Sequence, residues 1–151
     1  MIDTSQPQPQ SKDSPVPKPD EIQSDWFLEE FVDSINGTDS ELGITLTVGG
    51  ILVSGVIISG HKYFQGLAAS MKILTPEGQE NTEEYFKSFG EIYLKPKEPN
   101  SKPPSFIHLK DAMFYQPGLG QPIPSSDGVL WRGRISEVDG FMMGSLKTEK
   151  R

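Results

Sequence analysis

Cysteine is absent from the 151 residues. This excludes a disulfide framework and thiolate chemistry, and it agrees with a reducing cytoplasm. Positive charge is scarce: 14 Lys and Arg stand against 21 Asp and Glu, a formal net charge of −7. Long-range attraction to nucleic acid or anionic lipid is therefore not expected. Long apolar runs are missing too. A membrane-spanning helix needs about 20 predominantly apolar residues, whereas the run Ile51–Ile58 is bracketed by Gly49-Gly50 and Ser59-Gly60. No membrane insertion is expected. The N-terminus has no apolar secretory core, so nothing points to export and a cytoplasmic location is expected.

Catalytic patterns are equally sparse. The two histidines, His61 and His108, lack the spacing of a metal pair. No G-x-S-x-G elbow, phosphate loop or G-x-G-x-x-G turn occurs. Neighbouring acids, Glu83 with Glu84 and Glu137 with Asp139, read as solvated faces rather than acid/base pairs. No catalytic, cofactor-binding or metal residue is assigned, no cofactor is implied, and an enzyme is not expected.

What is present sorts by composition and period. Residues 1–23 carry five prolines among Gln, Ser and Asp and read as a disordered tail. Residues 24–146 read as a single α+β domain, and 147–151 as a charged C-terminal tail. Within the domain, Phe27, Leu28, Phe31 and Ile35 have helical spacing, with Ser24 or Asp25 as cap and Gly37 as stop. Ile44, Leu46 and Val48 alternate with Thr45 and Thr47, as in a half-buried strand. Gly49-Gly50 before a second β-branched run signals a two-residue hairpin, and Ser54-Gly55 within that run signals a bulge or bend.

Apolar residues from Tyr63 to Leu74 favour helix over strand, and Tyr85, Phe86, Phe89 and Ile92 suggest a second short helix. The following Pro-rich loop gathers Lys95, Lys97 and Lys102. A third strand spans "SFIHLKDAMFY", with Ile107, Leu109 and Met113 on one face and His108, Lys110 and Phe114 on the other. Val129 to Ile135 alternates as a fourth strand, Asp139-Gly140 reads as a turn, and Phe141 to Leu146 as a fifth strand. The whole predicts about five mostly antiparallel strands in a strongly bent sheet or partly open barrel, with an N-terminal helix and a helical insertion. Curling into a barrel would hide the strand edges.

Binding character concentrates in Trp131-Arg132-Gly133-Arg134. On a strand, Arg132 and Arg134 share one face and Trp131 points to the other. One reading is a core tryptophan with two arginines paired to the abundant acids. The other is an arginine pair gripping an acidic partner. With Tyr63 and Phe64 as accompanying aromatics, Trp131, Arg132 and Arg134 form the candidate partner-binding set.

The strings "GITLTVGGILVSGVIISGHKYF", "FIHLKDAMFY" and "GVLWRGRISEVDGFMMGSL" together resemble the gas vesicle accessory family GvpU over residues 25–146. That resemblance implies a non-enzymatic cytoplasmic accessory protein. It would assist assembly, regulation or organisation of gas vesicles through contacts with the shell or with other accessory proteins, self-association included. It transfers no site residues. A second resemblance is to Sm-like barrels, carried by an N-terminal helix, a second strand with an internal glycine, "LKDA" at Leu109–Ala112 and "RG" at Arg132-Gly133. It implies an alternative, an RNA-binding or oligomeric scaffold.

Overall fold

In the computed structural model, which describes residues 24–74 and 79–146, the chain order is α1 (Trp26–Thr38), β1 (Leu42–Val48), β2 (Ile51–Ile58), α2 (Gly60–Leu74), α3 (Gln79–Gly90), β3 (Phe106–Tyr115), β4 (Val129–Arg134) and β5 (Gly140–Met143). The two tails expected at 1–23 and 147–151 lie outside the described residues. The five strands form one antiparallel sheet in the order β4-β3-β2-β1-β5. The sheet stays open instead of closing into a barrel. Its edges, β4 and β5, are short, which limits the unpaired backbone available for unwanted strand addition.

Helix α1 begins because Asp25 accepts hydrogen bonds from the backbone N–H groups of Phe27 and Leu28. Asp25→Ala should lower the unfolding free energy by about 1 kcal/mol in chemical denaturation; an unchanged midpoint would show that the cap contributes nothing. The expected stop at Gly37 is not where the helix ends. It continues to Thr38, and Asp39 adopts φ 57° with its N–H donating to the Ile35 carbonyl. A short polar side chain tolerates this left-handed geometry, so aspartate does the work expected of glycine.

Leu28, Val32 and Ile35 bury one stripe of α1 against Ile44, Leu46, Val53, Ile57, Ile107, Leu109 and Ile135. The alternating apolar set of β1 therefore does face the core. Its threonine face is covered as well: Thr45 is buried, its hydroxyl donates to the Gly144 carbonyl at 2.8 Å, and the Ser54 hydroxyl accepts from Leu146 N–H at 2.7 Å. Hydroxyls can line a buried face here because neighbouring backbone groups satisfy them.

Gly49 and Gly50 turn β1 into β2 at φ 57° and 82°, the primed geometry that a two-residue hairpin requires. The irregularity expected at Ser54-Gly55 also exists, but the extra residue belongs to β3. Pairing with β2 jumps between Ser54 and Val56, pairing with β4 jumps between Leu109 and Ala112, and Asp111 sits at φ 52°. Gly55 and Gly128 flank this bulge from the two sides. A Cβ at either would lie 2.8 Å from the Lys110 carbonyl oxygen or 2.3 Å from the Asp111 carbonyl carbon. The bulge reverses the facing of later residues, so Phe114 opposes Val53 on the core side while Met113 opposes Ser54. This corrects the alternation read for Met113 and Phe114, which had no allowance for an inserted residue.

Asp139-Gly140 is not a turn. A 3-10 turn at Ile135–Glu137 carries the chain from one sheet edge towards the other, and Asp139 N–H bonds the Thr47 carbonyl as β5 approaches β1. On the opposite face, α2 packs over β3 and β4 and α3 packs against α2, confirming the helical insertion. Ser59 caps α2 through Lys62 N–H and donates to Asp39 Oδ1 at 2.6 Å. Lys110 and Lys62 both hydrogen-bond the Glu41 carboxylate and hold it below the usual carboxylate range.

Candidate functional site

The β3–β4 register sets His108 opposite Arg132, Phe106 opposite Arg134 and Leu109 opposite Trp131. Strand alternation then sends His108, Phe106 and Arg132 towards α2 and sends Trp131 towards the core beneath α1. The Arg132 guanidinium lies 3.6 Å from the Phe106 ring centroid and 5.7 Å from that of Phe64. Its Nη1 is 2.8 Å from His108 Nε2. Rings from α2 and the 3-10 helix Glu91–Leu94 complete the enclosure, with Tyr63 4.7 Å, Tyr93 5.6 Å and Phe64 6.1 Å from the imidazole centroid.

Chemistry assigns the protons in this cage. Arginine has only donors, so Nε2 of His108 accepts and the neutral ring carries its hydrogen on Nδ1. That Nδ1 is buried without a hydrogen-bond partner among the described residues. Burial, reinforced by the positive charge of Arg132, pushes the His108 pKa down to about 3. At neutral pH the imidazole is uncharged and far from the range of a general base poised for catalysis. It acts as an acceptor that fixes Arg132 under the helical insertion.

Three of the five candidate residues therefore converge: Tyr63, Phe64 and Arg132 share the His108 cage. Trp131 lies on the other face of the sheet against the core, and Arg134 is exposed at the end of β4. The sequence reading missed His108, Phe106 and Tyr93 as members of one cluster. A fully polar residue between buried Ile107 and Leu109 was the available signal, but naming its partners needs the cross-strand register. His61, by contrast, lines an open cleft with Asn36 and Tyr93. Among the described residues no group of three or more His, Asp or Glu is arranged to hold a metal ion.

Apolar side chains also stand exposed in two places. Tyr85 and Phe89, 5.0 Å apart edge to face, lead along α3 to Ile92 and Leu94. Tyr85, Ile92 and Leu94 are each 61% exposed, unusually high for residues of this size. At the other edge, Phe27 stacks on Phe141 at 6.1 Å, with Trp26 set edge-on to Phe27 and Met143 exposed nearby on β5. No helix among the described residues is long and apolar enough to cross a membrane.

Comparison with curated proteins and with solved structures returned no match. A family model described as "Gas vesicle protein GvpU-like" matches residues 25–146, from the N-cap of α1 to the segment that covers Thr45 and Ser54. The match takes in every strand and helix that builds the sheet, the cage and both apolar surfaces, and the chain belongs to the GvpU-like family of gas vesicle proteins.

Proposed function

We propose that this chain is a non-enzymatic accessory protein of gas vesicle formation, acting in the cytoplasm at the vesicle or its precursors through protein–protein contacts. The observation that carries this reading, within the family assignment, is the exposed apolar surface of Tyr85, Phe89, Ile92 and Leu94 on the helical insertion. Phe89 reaches the Phe64 ring at 5.8 Å, whereas the exposed faces of Tyr85, Ile92 and Leu94 lie outside the core cluster and suit a partner. The His108 cage supports it indirectly, because Tyr63, Phe64 and Arg132 anchor α2, against which the surface-bearing α3 packs. Arg134, exposed at the end of β4, adds a cation for an acidic partner, and Trp131 supports that strand from the core side.

Capture of the tagged full-length chain from gas vesicle-producing cells should recover shell or accessory vesicle proteins. Paired Tyr85→Ser and Phe89→Ser substitutions should reduce that recovery about tenfold while leaving the circular dichroism spectrum unchanged. Recovery of no vesicle protein, together with unaltered vesicle number and arrangement on deletion of the gene, would overturn the proposal.

A further inference from the structure

We infer that the open cleft between the C-terminal half of α1 and the loop after Leu94 is a docking site for a short acidic segment of a partner protein, one that carries aliphatic side chains beside its carboxylates. The cleft measures about 870 Å³, within the range of sites that hold small ligands. Ile92, Leu94, Pro96 and Pro104 give it apolar surface, and Lys95 and Lys102 supply charge. The identity of that partner rests on the accessory role proposed above, whereas the binding chemistry rests on the cleft itself.

Charge decides the class of occupant. The chain carries −7 overall, yet Lys95 and Lys102 have no ion-pair partner among the described residues. The other charges lining the cleft are mostly engaged: Lys97 pairs with Asp33, and Asp39 is held by Lys62 and Ser59. Glu98 is the one lining carboxylate for which no such partner is present among the described residues. Two free ammonium groups beside two aliphatic side chains, each 61% exposed, match carboxylates alternating with apolar groups. A nucleic acid fits less well. It would bring a phosphate at every nucleotide and no aliphatic group to cover Ile92 and Leu94.

The test uses three fluorescein-labelled probes and the full-length chain, read by anisotropy. They are a ten-residue peptide of glutamate and leucine, the same peptide with lysine for glutamate, and a ten-nucleotide oligouridylate. The glutamate peptide should bind and the lysine peptide should not. Lys95→Glu with Lys102→Glu should weaken binding about tenfold, as should Ile92→Ser with Leu94→Ser. All four sites are exposed, so circular dichroism should confirm retained folding. Equal binding of both peptides, insensitivity to both variant pairs, or tighter binding of the oligonucleotide would each overturn the inference. Because no gas vesicle component enters this assay, its failure beside a positive capture experiment removes the cleft and leaves the accessory role intact. Success beside a failed capture does the reverse.

Discussion

Lowering the pH from 6.5 to 5 is expected to remove about 2 kcal/mol of folding stability through His108 alone. The folded chain holds this imidazole neutral down to about pH 3, whereas an unfolded histidine takes up its proton near pH 6.5. Between those values the unfolded state binds about one more proton than the folded state, so stability falls as pH falls and is fully present above 6.5. The window from 6.5 to 5 is informative because Glu41, whose pKa is lowered by Lys110 and Lys62, adds a loss of the same sign only as carboxylates begin to titrate at lower pH. Urea denaturation across the window should show this slope. His108→Gln, which keeps an acceptor for Arg132 near the position of Nε2, should flatten it even if its stability at pH 7.5 is lower. Parallel slopes for the two proteins would mean that the imidazole is not held neutral by the cage.

Gly128→Ala is expected to destabilise the chain by about 3 kcal/mol. The added methyl would sit 2.3 Å from the Asp111 carbonyl carbon, so backbone must move and the bulge on which the β3–β4 register depends must move with it. Gly49→Ala provides the contrast. That position lies at φ 57° with open space around it, and only the left-handed backbone is penalised, by about 1 kcal/mol. Both are read from denaturation midpoints and slopes. A Gly128 variant no less stable than the Gly49 variant would show that β4 can slide away from Asp111 without loss.

These cases also mark where the sequence was readable. The Gly49-Gly50 hairpin was legible because both its cause, positive φ at two adjacent residues, and its flanking strands lie within a few positions of each other. Helices α2 and α3 were legible from period alone, as was the opposition of Trp131 to Arg132 across β4. The bulge was half legible: Gly55 announced a close approach, but the inserted residue is Asp111, a neighbour in space that no local pattern links to it. The end of α1 was misplaced by two residues because aspartate can adopt the conformation usually left to glycine. The His108 cage was illegible for a different reason. Its members come from β3, β4, α2 and the turn after α3, and only the assembled register and helix packing bring them within ring-contact distance.

The arrangement of β1 has a kinetic side. On one flank it pairs with β2 across a two-residue turn, while on the other it pairs with β5 and bonds a carbonyl 99 positions further along the chain. The first pairing closes a small loop; the second must wait until nearly the entire sequence is available, and long-range closure of this kind is slow. Ile135, which completes the core cluster, arrives equally late. Until that last segment docks, β1 lacks the partners of its second flank, namely the backbone pairing with Gly140–Met143 and the Gly144 carbonyl that accepts from the Thr45 hydroxyl. In the time between, that flank is an unpaired strand edge, open to pairing with another strand.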